Sequence, residues 1–513
     1  MRVALISILV LWCMACGGGT RGQSVCENAV PAPEACMTKC DPSPGAAATC
    51  PGGYHCTPDG TCDARCTASG GECGDDYRCT PDGRCVGEDD CVGLECNIAS
   101  CSARGLPPTT ISGTVFAPNG TLPLYGINVY VTNTNLGPPP DGAVCDRCSD
   151  TLPGYPLSLT KTDEEGKFTM TDVPSGKDIP VVIQTGKWRR TIVMPTVNEC
   201  TDNRLEPDQT RLPKNKSEGY LPKIAISTGS ADALECLVRK LGIDDAELGT
   251  DGGPSQLHLY ADKGASGGQG ANKFRAGFPG GSGDFADSKT LWSDVNKLKN
   301  YDIVILSCEG GQHPETKSQA DMEALKAYAD FGGRVFLSHW HNVWISGAGV
   351  TQGGGTQAPP VWSGANGIAT WNNAGNIGGP DTIDEINNPK GVSFATWMLN
   401  VQGSTQRGVV PITEGRQTCT AVDNSRVERW VYFQQGGTQF PQMFQFLTPV
   451  EAPPGNRCGK VVFSDMHVSG AGNSSTPNEP YPDGCASSAL TPQEKALAFM
   501  FFDIASCVQP PIL

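Results

Sequence analysis

The stretch ALKAYADFGGRVFLSHWH, residues 324–341, holds a helix, a turn and a strand in succession. Met322, Leu325 and Tyr328 fall three apart, which places them on one side of a helix spanning KSQADMEALKAYADF. Gly332 and Gly333 end that helix, and RVFLS reads as a buried strand that runs out into Ser338, His339, Trp340 and His341. Upstream, YDIVILS (301–307) is a second buried strand, followed by Cys308, Glu309, Gly310, Gly311 and His313. Earlier still, KIAIST (223–228) precedes a helical pattern capped by Ser230 and ended by Gly242. Late in the chain, GKVVFSDMHVSG (459–470) is a strand ending at Asp465 and His467. Strands alternating with helices predict an α/β domain over 222–513 with a parallel, doubly wound sheet, whose ligands bind beyond the strands' C-terminal ends. An insertion at about 345–455, rich in Gly, Asn and Gln, interrupts it and holds strands such as RWVYFQ and MFQFLTPV.

Four of the six histidines sit at these strand ends. Several chemistries fit the residues there. A histidine paired with Asp465 or Glu309 would activate water or Ser338, which makes His339, His341, His467, Asp465, Glu309 and Ser338 the catalytic candidates. His339 and His341 flank one residue, so an extended chain would turn both to one side. With His467 and Asp465 they would offer nitrogen and oxygen donors suited to zinc, the one cofactor the rim brings to mind. Trp340 and Trp344, with His313 and the insertion's Trp362 and Trp371, would line a pocket for a sugar or peptidoglycan fragment. The remaining possibility is that these groups bond to one another and to the loops, closing a crowded rim.

YDIVILS, ALKAYADFGGRVFLSHWH and GKVVFSDMH together resemble the trehalose-utilisation (ThuA-like) group of the class I glutamine amidotransferase-like, flavodoxin-like fold. Gly332-Gly333 through His339 and Gly459 through His467 match that group's two glycine-to-histidine strand ends. In the amidotransferases the nucleophile occupies the elbow after the helix. The matching elbow here holds Ser338 and His339, so the resemblance implies the fold and argues against amidotransferase activity. Cys308 lies one strand earlier and does not inherit that role.

Residues 107–200 read as strands: TISGTVFAPNG, GINVYVTN, TDEEGKFTM, and a hairpin IPVVIQTGKWRRTIVMP pivoting near Gly186. The stretches ISGTVFAPNG, LYGINVYV and TDEEGKFTM with VPSG resemble the carboxypeptidase regulatory-like domain, a transthyretin-like β-sandwich without catalytic residues. A polar linker, 201–221, leads from it to the α/β domain.

Residues 16–106 form a small disulfide-rich module. CPGGYHCTPDGTC (50–62) is echoed by CGDDYRCTPDGRC (73–85), an internal repeat with matching Pro-Asp-Gly turns. So few aliphatic residues build no core, and cross-links must hold the segment. The chain has 24 cysteines, and setting aside Cys13 and Cys16 leaves an even set, as full oxidation requires. Pairing Cys145 with Cys148 leaves an odd set on each side, which predicts one bridge from the cysteine-rich module to a later domain. On that account Cys308 is half of a disulfide, with Cys236 as its mate.

The chain opens MRVALISILVLWCMACGGG, with one positive charge and a short apolar run, a secretory signal over 1–15. CMAC resembles the lipobox of bacterial lipoproteins, which implies lipidation of Cys16; Cys13 stands where leucine is usual. Gly17 rather than aspartate implies the outer membrane, with the protein facing the periplasm or the cell surface and held to the membrane through a lipid anchor. Net charge is −16, and the densest basic cluster is KWRR, so nucleic acid is excluded as a partner. The expectation is a multidomain, non-catalytic envelope lipoprotein that binds a glycan or an envelope protein. A hydrolase of carbohydrate or peptide-like material, and a purely structural envelope component, are the alternatives.

Overall fold

The computed structural model describes residues 24–28, 32–42, 50–66, 73, 77–80, 83–87, 91–148, 150, 152–265, 270–347, 362, 367–372, 375–468 and 478–508. The expected signal segment, Cys13 and Cys16 lie outside these residues. The chain divides into two compact units, Met1–Cys96 with Thr151–Tyr155, and Asn97–Asp150 with Pro156–Leu513.

The first unit begins its regular structure with α1 (Val25–Asn28), followed by two hairpins. One joins β1 (His55–Cys56) to β2 (Cys62–Asp63), the other β3 (Tyr77–Cys79) to β4 (Cys85–Gly87). Gly60 and Gly83 take positive φ of 73° and 74° at equivalent turn positions, where a side chain would be strained. The repeat extends to the bonding. Cys50–Cys62 and Cys73–Cys85 close each copy, while Cys56 and Cys79 reach back to Cys40 and Cys66. Cys26–Cys36 and Cys91–Cys96 complete the unit's bridges.

The second unit opens with seven strands: β5 (Thr110–Thr114), β6 (Asn128–Thr132), β7 (Pro156–Lys161), β8 (Lys167–Thr171), β9 (Gly176–Thr185), β10 (Trp188–Val197) and β11 (Asp202–Arg204). They form a four-stranded sheet, β10-β9-β6-β7, and a three-stranded one, β11-β5-β8. Period-two burial is clear in β8, where Phe168 and Met170 point inward between exposed neighbours. The β9–β10 hairpin pairs Thr185 with Trp188 across Gly186, as its sequence predicts. A Cβ on Gly186 would collide with the Ala505 carbonyl. Cys101–Cys200 ties the start of this region to its end, joining the 16–106 segment to a later one, although the Cys145–Cys148 pair on which that expectation rested does not form.

A large mixed sheet of eleven strands follows. Its first part contains β12 (Ile224–Thr228), α2 (Leu234–Lys240), β13 (Leu248–Thr250), β14 (Leu257–Ala261), β15 (Ala286–Asp287), α3 (Lys289–Trp292), α4 (Val295–Leu298), β16 (Ile303–Leu306), α5 (Gln319–Phe331), β17 (Arg334–Ser338) and α6 (Val343–Ser346). The insertion supplies β18 (Ala369–Trp371), β19 (Asn376–Ile377), β20 (Asp381–Ile383), α7 (Pro389–Asn400), β21 (Val409–Val410), β22 (Gly415–Arg416), β23 (Cys419–Val422), β24 (Val427–Gln435) and β25 (Thr438–Thr448). The chain closes with β26 (Gly459–Ser464) and α8 (Pro492–Ala505).

Strands run in the order β13-β14-β12-β16-β17-β26-β25-β24-β20-β21. Pairing is parallel from β13 to β26 and antiparallel from there to β21, so the sheet is not the all-parallel one expected. The reason is local. β24 and β25 are joined by the tight Gly436-Gly437 turn, and a two-residue connection permits only antiparallel pairing. The insertion thereby widens the sheet instead of looping away from it.

α5 forms as its sequence predicts. Ser318 and Asp321 make a capping box at its start, and Met322, Leu325 and Tyr328 are buried. α8 lies against the seven-stranded region, where Trp188 meets Phe501 and Phe502 at ring-centroid distances of 6.4 and 6.1 Å. The expected Cys145–Cys148 pair does not form. Cys145 bonds Cys458 and Cys148 bonds Cys507. The CDRC segment runs beside the chain following α8, with Cys148 N–H donating to the Val508 carbonyl and Val508 N–H to that of Asp146.

Candidate functional site

β16, β17 and β26 lie side by side in parallel, so the three segments leaving them meet at one edge of the sheet. The chain leaves β16 through Ser307 and Cys308, directly over Gly229. A Cβ on Gly229 would collide with the carbonyls of both residues, so only glycine admits this approach. It leaves β17 at Ser338 and bends sharply, because His339 takes a positive φ of 39°. A non-glycine residue there is strained and persists only where its surroundings hold it. The bend starts a 3₁₀ turn, His339–Asn342.

Three side chains converge there. Cys308 Sγ lies 3.5 Å from His339 Nδ1. The His339 and His467 rings are 4.9 Å apart between centroids. Donor atoms of Cys308, His339 and His467 all fall within 4.8 Å of one another, and all three residues are buried. Cys308 is a free thiol, not half of a disulfide. Its expected mate, Cys236, bonds Cys485 instead. Burial pushes the Cys308 thiol up to about 12, although the Trp340 and Gly310 amides donate toward the sulfur. His339 is held well below the usual imidazole range, first by burial, then by His467 and Arg416.

His467 Nδ1 is 2.8 Å from the Ala231 carbonyl, which makes it the protonated nitrogen. Its Nε2 is buried without a hydrogen-bond partner. Behind it, Asp232 accepts from Ser338 Oγ at 2.5 Å and from Val468 N–H at 2.8 Å. Burial pushes the Asp232 carboxyl up, and the neighbouring His467 imidazole opposes that shift.

The other expected rim residues do not join this cluster. His341 Nε2 lies 2.9 Å from the Ser307 carbonyl, and its Nδ1 accepts from Trp344 Nε1 at 3.0 Å. Both nitrogens are thus occupied, which removes His341 as a metal ligand or base. It does not share a side with His339, because the chain turns where an extended strand was expected.

Asp465 accepts the Thr418 and Cys419 amides, each at 3.0 Å, and pins the insertion instead of orienting an imidazole. Burial raises its carboxyl to about 7. Glu309 pairs with Lys317 Nζ at 2.8 Å and stands 3.8 Å from His341 Nε2. Burial pushes its carboxyl to about 8, against the pull of Lys317. Ser338 donates to Asp232 and has no imidazole acting on it. His313 contacts Glu315 at 3.0 Å and the Glu309 carbonyl at 3.3 Å.

Nor does the aromatic pocket assemble. Trp344 and Trp362 are core residues, 1% and 0% exposed. Trp371 packs on Phe444 and Phe463, and Trp340 is half-buried against the His339 ring. Burying these large apolar surfaces outweighs presenting them to a ligand.

Sequence reasoning missed Asp232, Lys317 and Asp262. Lys317 is wholly buried between Glu309 and Asp262, at 2.8 and 3.3 Å. No local pattern announces such a trio, since Asp262 follows β14 while Glu309 and Lys317 lie eight residues apart in the connection from β16 to α5. Cys308 was legible as a strand-end residue next to a histidine-bearing strand end, but parity assigned it elsewhere.

The insertion covers the rim. The Glu414 carbonyl accepts from His467 N–H at 3.1 Å and from Gln493 Nε2 at 3.0 Å. The Arg416 carbonyl accepts from Gln442 Nε2 at 2.6 Å. Away from the rim, a cleft of about 1130 Å³ is lined by Lys214, Arg239, Lys240, Asn400, Gln402 and Lys495 among others.

No known protein family matches the chain, and no curated protein does. Among solved structures, two mutant type II cohesin–X-dockerin complexes from Acetivibrio cellulolyticus are 16% identical. They cover 26% and 29% of this chain and 71% and 88% of theirs, at TM-scores of 0.15 and 0.16. The cytoplasmic protein STM3548 from Salmonella typhimurium is 11% identical over 55% of this chain and 98% of its own, at a TM-score of 0.26. Likenesses this slight carry no argument about fold or function.

Proposed function

We propose that this chain is a non-catalytic cell-envelope lipoprotein whose body binds a polar glycan or an envelope protein. Ten disulfides among the described residues mark a protein of an oxidising, extracytoplasmic compartment. None of the described helices is long and apolar enough to cross a membrane, so membrane attachment in this reading falls to the lipid on Cys16. The four-stranded and three-stranded sheets of β5–β11 support the carboxypeptidase regulatory-like reading of that region. With the short strands β13 and β15 set aside, the parallel strands run second, first, third, fourth, fifth, which is the flavodoxin-like order and supports the ThuA-like reading.

The observation that carries the non-catalytic reading is the covered rim. Among the described rim residues, one oxygen of Glu309 is held by Lys317, one of Asp465 by backbone amides and both of Asp232 by Ser338 and Val468, and no rim imidazole has a carboxylate within hydrogen-bonding distance except His313 with Glu315. The cleft beside α2 is the binding surface. Its lining mixes Lys214 and Gln402 with the ion pairs Arg239–Asp245 and Lys240–Glu494, a polar surface suited to the hydroxyls of a glycan.

The test is co-sedimentation of the intact chain with peptidoglycan and with soluble acidic polysaccharide, each repeated with K214E/K495E. Retention by a glycan, lost in the double variant, supports the reading. Retention indifferent to the substitutions, or release of shortened sugar products, overturns it.

A further inference from the structure

We infer that Cys308, His339 and His467 form a site for one zinc ion, independent of whether the cleft binds a glycan. The donor set is the first argument. A thiolate and two imidazoles are characteristic zinc ligands, and three protein ligands leave one position for solvent. Zn–S and Zn–N bonds of about 2.3 and 2.0 Å at a tetrahedral angle set sulfur and nitrogen about 3.5 Å apart. Cys308 Sγ and His339 Nδ1 are separated by 3.5 Å.

The second argument is the orphaned nitrogen. His467 is 2% exposed, and its Nε2 has no hydrogen-bond partner, which is costly for a buried acceptor. Its Nδ1 is anchored on the Ala231 carbonyl, the outer-sphere bond that orients an imidazole toward a metal. His339 is held by backbone as well, at a φ of 39° that a histidine does not adopt without cause.

Third, the alternatives fit less well. Among the described residues the other free cysteine is Cys419, which belongs to a different strand and not to this cluster, so a disulfide is not what the site awaits. A cysteine nucleophile must meet its substrate, and Cys308 is 0% exposed. Asp232 uses both oxygens on Ser338 and Val468, so neither is left to ligate a metal. Binding is not a redox step. The ion replaces the thiol proton, which leaves to solvent, and both imidazoles ligate in neutral form.

The experiment uses the intact oxidised chain, stripped with chelator and titrated with Co²⁺, then with Zn²⁺. One Co²⁺ per chain with a thiolate-to-cobalt charge-transfer band, discharged by one Zn²⁺, is the expected result. Cys308→Ser should abolish the band, and His467→Gln should weaken zinc binding by about 100-fold or more. His341→Gln and Cys419→Ser should leave the stoichiometry at one. Should Cys308→Ser not fold, as judged by its near-ultraviolet circular dichroism, His467→Gln carries the test. No bound metal by mass spectrometry in the zinc-treated wild type, or a band that survives in the folded Cys308 variant, would each overturn the assignment.

Discussion

Cys145 is bonded to Cys458 across 313 positions of sequence, and Cys148, three residues on, is bonded to Cys507 across 359. Between the two bridges sits the buried guanidinium of Arg334. It donates to the carbonyls of Cys458 at 2.5 Å, Gly332 at 3.2 Å, and Asp146 and Ser506 at 3.4 Å each. The CDRC segment, the start of β26 and the end of α8 are thus joined at one seam. Removing either bridge by paired serine substitution should cost about 2–4 kcal/mol in urea unfolding, and removing both should cost more than either alone. An unchanged midpoint in the variant lacking both would show that the seam is not what holds these segments together.

The buried Lys317 leads to a second expectation. Lys317→Met leaves Glu309 and Asp262 without their shared cation and should destabilise by about 3–5 kcal/mol. Adding Glu309→Gln and Asp262→Asn should recover much of that loss, because the carboxylates then carry no charge to neutralise. Denaturant titration of the single and triple variants measures both effects. A triple variant no better than the single one would sink the account.

Asp381 has a distinct pH signature. Both of its oxygens are buried without partners, and burial raises its carboxyl from 3.8 to about 7. The folded chain holds this proton more tightly than the unfolded chain does. Stability from this group is therefore complete below pH 3.8, falls as pH rises to about 7, and levels off above that. Asp381→Asn should match wild type near the acid end and exceed it by about 4 kcal/mol above neutrality. Thermal melts across that range decide it; equal melting temperatures at the alkaline end would contradict it.

Gly229 is the simplest probe of the strand-end loop. Alanine there would drive a methyl group into the Ser307 and Cys308 carbonyls, at an expected cost of about 1–3 kcal/mol. The variant should also show a shifted His339 ring resonance in NMR spectra. A fully stable variant with an unmoved resonance would mean that the loop yields freely.

How much of this was legible in the sequence follows from how local each feature is. α5 and β17 were legible from the spacing of Met322, Leu325 and Tyr328 and from the glycine stop, because helix periodicity and capping act over a few residues. The matching turns were legible for the same reason, with Gly60 and Gly83 both at positive φ. Disulfide connectivity was not: Cys145 and Cys148 suggest each other by proximity in sequence, while their partners are chosen by the packing of α8 and β26. His341 misled because its side depends on whether the chain stays extended past Ser338, and one positive φ at His339 decides that. The insertion's strands were visible, but their direction followed from a two-glycine turn whose pairing extends a sheet formed by other segments.

Synthesis runs from the N-terminus, so the bridges of this protein are made at two speeds. Cys50–Cys62 and Cys73–Cys85 each close over 12 residues and are ready almost as soon as they are made. The CDRC thiols must wait, close together in sequence, Cys145 until the start of β26 arrives and Cys148 until the chain beyond α8 does. Their nearest competitor throughout that interval is each other. Biogenesis of this chain therefore calls for a thiol-exchange catalyst able to undo a Cys145–Cys148 bond, and a secretion host without one should accumulate chains closed at that wrong pair.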